Sequence, residues 1–176
     1  MAIIGRPALA IPSAAGLQVG VVVAQWHSDL TEQLLERATW AAAQAGARTP
    51  TVIRVPGAME LPVVAQALAA RHDAVVALAV VLKGETAHFD YVCQTANTGL
   101  ARVSLDAGIA VGNGVLTCNT IEQAIARAGG PGAEEDKGAE SMSAALQTTL
   151  ILRELRLHPH ADGQVNPAPS AVLTLS

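Results

Sequence analysis

The chain has 176 residues, a length typical of one domain, and its net charge of −4 argues against a polyanionic nucleic acid as a partner. Apolar residues make up 51% of the sequence and charged residues only 15%, so we expect part of the uncharged surface to meet another subunit. The longest apolar run, at residues 74–82, is too short to span a bilayer, and no signal peptide pattern precedes it, which predicts a cytoplasmic protein.

The first third of the chain alternates between β-branched and helical patterns. Residues 19–24 are mostly valine, which is typical of a parallel strand covered on both faces. A helix is predicted from Ser28 to Gly46, because apolar residues recur there every three to four positions. Residues 51–55 predict a second strand, and residues 58–71 predict a second helix with Pro62 in its first turn, where proline is tolerated.

The rest of the chain repeats this alternation. Residues 74–82 predict a third strand, and residues 88–106 predict a helix with one apolar face. Residues 109–117 predict a fourth strand, in which Gly112 and Gly114 indicate that another part of the molecule approaches the backbone. Thr120 and Gln123 have capping-box spacing at the start of a short helix, and residues 136–158 predict the last helix.

Four strands that alternate with helices predict an α/β fold: a three-layer sandwich around a mainly four-stranded parallel sheet with right-handed crossovers. We expect this domain at residues 19–157, after an N-terminal arm at residues 1–18. A mobile tail is predicted at residues 158–176, with a smaller expectation that residues 171–175 add an edge strand.

The two cysteines, Cys93 and Cys118, lie far apart and lack CxxC spacing. We therefore expect two buried free thiols rather than a disulfide framework or a zinc site. The sequence predicts neither a metal site nor a cofactor.

Chemically capable residues follow the predicted strands. Ligands of parallel sheets bind outside the carboxyl ends of the strands, so we expect these residues to converge on one edge. They are Trp26, His27, Ala58, Met59, Glu60, Gly84, Glu85, Thr86, His88, Asn113 and Thr117.

Several of these features also have a purely structural interpretation. Trp26 offers a flat platform for a heteroaromatic ring or else packs in the core, as we expect for Trp40. The turn at residues 83–86 presents N–H groups to an anion or only reverses the chain, and it lacks Walker A spacing. Arg127 contacts a phosphate or pairs with the carboxyl end of a helix.

The remaining candidates leave similar alternatives open. His88 suits proton transfer but also helix capping. Glu60 accepts hydrogen bonds from ligand hydroxyls or is a first-turn helix carboxylate. His72 is expected to be structural, and residues 134–137 are most simply a solvated helix start.

Several sequence blocks resemble the lumazine synthase family. They read VPGAMELP at residues 55–62, GETAHFDYVC at 84–93, GVLT at 114–117, EQA at 122–124, RAG at 127–129 and DKGAE at 136–140. The similarity runs from about residue 19 to residue 155. It implies a flavodoxin-like strand order and the condensation of a ribitylaminopyrimidine with a four-carbon keto phosphate, the penultimate step of riboflavin biosynthesis.

The resemblance also implies roles for individual residues. Trp26 would stack on the pyrimidine, and His88 would transfer protons. The other substrate contacts implied are Ala58, Met59 and Glu60 for the ribityl chain, Val80, Val81, Leu82 and Asn113 for the ring edge, Glu85, Thr86 and Arg127 for phosphate, and Lys137 close to the same pocket. Asn113 and Arg127 would come from a neighbouring subunit.

The sequence departs from the family pattern at Ala79, Lys83 and Glu85, where glycine, arginine and glutamine are usual. An inward carboxylate would repel phosphate, so we expect Glu85 to contribute only its backbone N–H.

The family forms pentamers, some of which assemble into hollow shells of sixty subunits. The loop between Arg127 and Lys137 looks longer than the shell-forming pattern, which predicts a free pentamer. A contact with riboflavin synthase is a further expectation from the resemblance.

Two other classes of function remain as alternatives. A flavin-binding or electron-carrier module on a flavodoxin-like fold would also suit Trp26 and residues 84–86, but it does not explain His88 and Arg127 together. A non-catalytic assembly protein is suggested by the apolar composition alone.

Overall fold

The computed structural model describes residues 8–158. One all-parallel sheet contains the strands β1 (Val19–Ala24), β2 (Thr51–Val55), β3 (Ala74–Leu82) and β4 (Ala110–Cys118), in the order β2-β1-β3-β4. The described helices are α1 (Ser28–Gln44), α2 (Leu61–Ala69), α3 (His88–Ala107), α4 (Ile121–Ile125) and α5 (Lys137–Leu157). The predicted fold class and flavodoxin-like strand order are confirmed.

None of these described helices has the length and apolar character that a bilayer crossing requires. The predictions for residues 1–7 and 159–176, including the possible edge strand at residues 171–175, lie outside the described residues.

The sheet is covered on both faces, as the valine-rich strands predict. Alternate residues of β3 point to opposite sides, so Val76 and Leu78 pack with α1 and α5 while Val75 and Ala77 pack with α2 and α3. β3 is paired on both sides and its first seven residues are buried. The carboxyl end of this central strand therefore lies at a fixed point in the middle of one edge.

Two predicted helix starts differ in detail from the structure. The helix predicted at residues 58–71 is divided into a 3-10 helix (Ala58–Glu60) and α2, and the Glu60 carboxylate turns back to accept from the Gly57 N–H at 2.9 Å. At α4 the Thr120 hydroxyl accepts from the Gln123 N–H at 3.4 Å. The reciprocal bond of the capping box is displaced, because the Gln123 side chain accepts from Asn119 N–H instead.

Two packing predictions were wrong. Trp40 is 38% exposed rather than in the core, and the Arg37 guanidinium, one turn earlier on α1, stacks over its ring at 4.2 Å. The helical pattern had placed Trp40 beside the apolar stripe, but the ring lies at the rim of that stripe. Cys118 is a buried free thiol as expected, whereas Cys93 is only half-buried.

The N-terminal residues that the structure describes lie against the domain. The Ala10 carbonyl accepts hydrogen bonds from the Ser143 hydroxyl and the Gln147 amide of α5, each at 2.5 Å. Ala14 and Leu17 are buried in the core that α1 and α5 share. This part of the predicted arm is therefore integrated into one outer layer.

The glycines of β4 allow α5 to lie directly on the sheet. A Cβ at Gly112 would collide with the backbone carbonyl oxygen of Ser141, and one at Gly114 would come within 2.6 Å of Leu78 Cδ2 and 2.9 Å of Ser141 Oγ. The sequence had indicated a close backbone approach at both positions, and α5 and the neighbouring strand make it.

We expect Gly112→Ala to lower the free energy of unfolding by about 1–3 kcal/mol, the range for overpacking a close contact, because a backbone carbonyl cannot move aside as a side chain can. Urea unfolding followed by circular dichroism measures this change. Gly84→Ala is the matched control, because a Cβ at Gly84 would meet nothing within 4 Å. Equal stability of both variants and wild type would contradict the packing argument.

Candidate active site

A cavity of about 460 Å³ opens at the carboxyl ends of β1, β2 and β3. This volume is in the range of pockets that hold small ligands. Its wall brings together residues that follow three different strands, as the sequence predicted. The lining residues are Trp26, His27, Pro56, Gly57, Ala58, Met59, Glu60, Val80, Val81, Leu82, Gly84, Thr86, His88, Phe89 and Val92.

Trp26 projects into this cavity because the chain turns sharply after β1. His27 has φ 57° and ψ 51°, in the left-handed region, and is the one non-glycine residue with a positive φ among residues 8–158. Its carbonyl accepts from the N–H groups of Leu30 and Thr31, which starts α1. Trp26 is therefore outside both the strand and the helix, and 69% of its surface remains exposed.

The segment after β2 forms a second wall. Ala58, the first residue of the 3-10 helix, is buried, whereas Met59 is exposed. The Glu60 carboxylate lines the cavity while one of its oxygens accepts from Gly57 N–H at 2.9 Å. A carboxylate carries about four acceptor positions, so this capping bond leaves capacity for ligand hydroxyls, and both sequence interpretations of Glu60 are compatible.

The turn after β3 supplies the third wall. Lys83 N–H donates to the Cys118 carbonyl at 2.9 Å, which holds the start of this turn beside β4. The Thr86 hydroxyl accepts from His88 N–H at 3.4 Å, where α3 begins. Thr86 and His88 both line the cavity, whereas Glu85 is exposed and is not among the lining residues.

The two predicted residues of β4 differ in their distance from this edge. Asn113 pairs with Ala77 in the middle of β3, so the expectation that it converges with the other residues was wrong for a single chain. Thr117 pairs with Val81 at the carboxyl end of β3, so it lies at the predicted edge, although it does not line the cavity.

Asn113 belongs instead to a short chain of directed hydrogen bonds. Val115 N–H donates to its Oδ1 at 3.1 Å, so its amide nitrogen faces Asn97 Oδ1, 2.5 Å away. Asn97 in turn donates to the Cys93 carbonyl of α3 at 2.7 Å. These contacts fix the orientation of the Asn113 amide on the exposed face of β4.

Arg127 and Lys137 form a separate charged cluster, outside the residues that line the cavity. The loop between them is closed by an antiparallel bridge between Ala128 and Asp136, and Lys137 N–H donates to the Arg127 carbonyl at 3.0 Å. Residues ten positions apart in the sequence are thereby brought side by side near the end of β4.

Glu135 lies between these two cations. One carboxylate oxygen is 3.4 Å from Arg127 Nε and the other is 2.6 Å from Lys137 Nζ. Lys137 also pairs with Glu140 at 2.9 Å, and Arg127 Nη1 donates to the Gln123 carbonyl at the end of α4 at 2.8 Å. The structural interpretation of Arg127 as a helix C-terminal partner is thus observed in this chain.

The acidic residues at 134–137 are more than a solvated helix start. Asp136 caps α5 by accepting from Ala139 N–H at 3.1 Å, and it also pairs with Arg37 of α1 at 2.8 Å. The sequence interpretation missed the roles of Glu135 and Asp136. An acidic residue directly before a helix start was the available signal for Asp136, whereas no local pattern identifies the partners of Glu135.

The cysteines are poorly suited to nucleophilic chemistry. Burial raises the pKa of the Cys118 thiol, although nearby Arg127 acts in the opposite direction. Burial also raises the pKa of Cys93, and the Asp90 carboxylate adds to that effect. Because the thiolate is the reactive form, both groups remain mainly protonated and unreactive at neutral pH.

The cavity combines an aromatic platform, a carboxylate, an imidazole and a turn of backbone amides. These groups can stack a flat ring, orient hydroxyls and move a proton. Within the described part of the chain, no three His, Cys, Asp or Glu side chains converge as metal ligands would. The arrangement supports a reaction between two oriented organic molecules.

Comparison with known proteins agrees with this chemistry. A family model described as 6,7-dimethyl-8-ribityllumazine synthase matches residues 16–153. A relative of that name from Saccharopolyspora erythraea is 58% identical over 152 residues, which cover 86% of this chain and 92% of the relative. Another from Mycobacteroides abscessus is 56% identical over 86% of this chain and 95% of the relative. A third, from Thermobifida fusca, is 52% identical over 93% of this chain and 96% of the relative.

Proposed function

The chain belongs to the 6,7-dimethyl-8-ribityllumazine synthase family, and we propose that the cavity beside Trp26 is where it binds the pyrimidine substrate of this reaction. The convergence of Trp26, Glu60 and His88 on one cavity is the observation that carries the proposal. A flavin-binding or electron-carrier role, the main alternative from the sequence, has no support from the comparisons.

The enzyme is a transferase of riboflavin biosynthesis. It condenses 5-amino-6-(D-ribitylamino)uracil with 3,4-dihydroxy-2-butanone 4-phosphate, and the product is 6,7-dimethyl-8-ribityllumazine. The substrate amine attacks the ketone to form a Schiff base with loss of water, phosphate is eliminated, and ring closure expels a second water. Because the substrate supplies its own nucleophile, the protein has to orient two reactants and move protons.

The pyrimidine ring stacks on Trp26 under this proposal. The exposed indole supports this role, because stacking a flat ring on it removes apolar surface from water. The backbone of Val80, Val81 and Leu82 faces the ring edge from the end of β3. The ribityl hydroxyls meet Glu60 and the main chain of Ala58 and Met59.

The phosphate of the second substrate is bound by the amides of Glu85 and Thr86 and by Arg127. No arginine or lysine is among the residues that line the cavity in the described chain, yet a phosphate ester needs a cation or several N–H donors. Arg127 and Lys137 lie in the separate cluster at the end of β4. We therefore propose that a second copy supplies Arg127, together with Asn113 for the ring edge and Lys137 close to the pocket.

His88 transfers protons between the substrates and water. It lines the cavity at the first position of α3, directly after the turn that contributes the phosphate-binding amides. An imidazole carries two ring nitrogens, of which one can accept a proton while the other donates one, so at this place it can both remove and return a proton.

We also propose a free homopentamer, and the exposed large apolar side chains support association. Leu105 and Leu157 are largely exposed on α3 and α5, as are Val63 and Tyr91. The two free cysteines suit the reducing cytoplasm. A contact with riboflavin synthase, which would consume the lumazine product, is part of the same proposal.

The role of Trp26 predicts a substrate-selective loss. Trp26→Ala should weaken binding of the pyrimidine substrate by about 1–3 kcal/mol, the usual value of base–aromatic stacking, and should leave the keto phosphate almost unaffected. Equilibrium titration of each substrate measures the two affinities. Trp40→Ala is the matched control on the outer face of α1, and equal losses for both substrates in Trp26→Ala would indicate a structural role instead.

Substitutions of Arg127 and His88 should change different kinetic constants. Arg127→Ala should chiefly raise KM for the keto phosphate, whereas His88→Ala should chiefly lower kcat, by roughly 100-fold. The loss of kcat in His88→Ala is expected to be smaller if substrate positioning supplies part of the rate. Steady-state assays that follow the absorbance of the lumazine product test both. Full kcat in His88→Ala together with an unchanged KM in Arg127→Ala would refute the site assignment.

The assembly state can be measured directly. The loop between Arg127 and Lys137 leads us to expect a free pentamer in neutral buffer by multi-angle light scattering. A particle in the megadalton range would show that the longer loop does not prevent shell formation.

A further inference from the structure

Glu135 occupies an unusual place for a carboxylate. Its side chain is only 14% exposed and lies between Arg127 and Lys137, the two cations of the proposed phosphate site. The backbone holds it there, because the N–H groups of Glu134 and Glu135 both donate to the Ala126 carbonyl at 2.9 Å. An acidic group this close to an anion site would weaken anion binding unless it contributes something else.

We propose that Glu135 is a positioning residue, which holds the Arg127 guanidinium in the orientation that receives the substrate phosphate. This inference rests on the proposed phosphate role of Arg127. It assigns Glu135 no contact with the substrate and no part in proton transfer.

The contacts of Arg127 define how the positioning works. Glu135 faces its Nε, and the Gln123 carbonyl accepts from its Nη1 at 2.8 Å. A guanidinium is planar and carries five N–H groups in a fixed fork, so contacts at two of its nitrogens fix the plane. One N–H of Nη2 lies on the same side as Nε–H, and the N–H groups that neither partner uses can form the charge-assisted bonds that a phosphate requires.

Neutralising Glu135 should affect the orientation of Arg127 more than that of Lys137. Lys137 also pairs with Glu140 at 2.9 Å, so it keeps a carboxylate partner when Glu135 is neutralised. Arg127 exchanges a carboxylate partner for a neutral amide and keeps the neutral Gln123 carbonyl, and it then faces the like charge of Lys137 without the carboxylate between them. Its side chain should therefore sample several orientations.

Two effects of Glu135→Gln oppose each other. Removing a negative charge by itself attracts an anion more strongly, and salt screens this gain little, because Glu135 is 14% exposed and adjoins Arg127. Loss of orientation costs the guanidinium its bidentate, charge-assisted hydrogen bonds to phosphate, which are among the strongest polar contacts in proteins. We expect the second effect to prevail, so the sign of the change in phosphate affinity separates positioning from simple charge.

The experiment measures the inhibition constant of inorganic phosphate against the keto phosphate at physiological salt. It compares wild type, Glu135→Gln, Arg127→Ala and the double variant, with Glu134→Gln as the matched control. Glu134 is the exposed neighbour in the same loop, so its substitution changes the net charge equally. Thermal melting and light scattering of each protein verify folding and assembly.

Glu135→Gln should raise the phosphate inhibition constant and KM for the keto phosphate by about threefold to tenfold, the effect of losing a partly buried ion pair. Glu134→Gln should change neither constant. KM for the pyrimidine should stay the same in both variants. In the Arg127→Ala background, Glu135→Gln should no longer raise either constant, because the residue it positions is gone.

Each other outcome has a distinct meaning. An unchanged or lowered phosphate inhibition constant in Glu135→Gln, while Arg127→Ala raises it, would overturn the positioning role and leave the proposed function intact. If Arg127→Ala itself changes nothing, the proposed phosphate site is wrong. A rise of the phosphate inhibition constant by Glu135→Gln that persists in the double variant, or an effect that extends to the pyrimidine KM, would identify Glu135 as merely structural and would also overturn the inference.

Discussion

The direct contact between α5 and its neighbours determines the position of the loop between Arg127 and Lys137. A Cβ at Gly112 of β4 or at Gly138 of α5 would collide with a backbone carbonyl, of Ser141 and Leu34 respectively. At these two glycines α5 therefore packs directly against β4 on one side and α1 on the other, with no side chain between the backbones. Asp136 stabilises the N-terminal end of α5 by capping this helix and by pairing with Arg37 of α1 at 2.8 Å. Because Lys137 is the next residue, its position is set by backbone packing and not by its own side-chain contacts.

This packing separates two kinds of chemistry within one chain. The cavity at β1, β2 and β3 is lined by apolar and aromatic groups together with the side chains of Glu60 and His88, whereas Arg127 and Lys137 are held near the end of the edge strand β4. Under the proposed function the cavity and Arg127 meet only across two copies of the chain. The enzyme mainly aligns two reactants, so its rate would then depend on the accuracy with which subunits are placed.

Features that depend on the residue itself or on its neighbours in the sequence could be predicted. Features that depend on contacts across a closed loop or between separate elements could not. The valine-rich strands and the glycines of β4 were found because side-chain branching and the absence of a Cβ act at the residue itself. Trp26 and His88 were found because the topology brings the residues after parallel strands to one edge. The ion pairs of Glu135 depend on the bridge between Ala128 and Asp136, and no periodicity or spacing indicates that bridge.

The errors have the same physical origin. Asn113 was expected at the edge because it was grouped with the residues that follow the strands, but it lies in the middle of β4, five residues before the strand ends at Cys118. Trp40 was expected in the core because the helical period does not show that Arg37 covers the ring from the solvent side. Asn97 was overlooked, since its bond to Asn113 joins a helix and a strand sixteen positions apart.

The fold leaves apolar surface uncovered at the cavity, and this surface is a source of binding free energy. Burying a large apolar side chain is worth about 1.5–3 kcal/mol, and Trp26 forgoes most of that in the unliganded chain because His27 turns it outward. Met59, 44% exposed, extends the same apolar wall. A flat heterocycle that covers this wall recovers the free energy without ordering a flexible loop, since the 3-10 helix and the start of α1 already hold both residues. The few polar groups of the cavity are then free to orient the substrate rather than to supply its affinity.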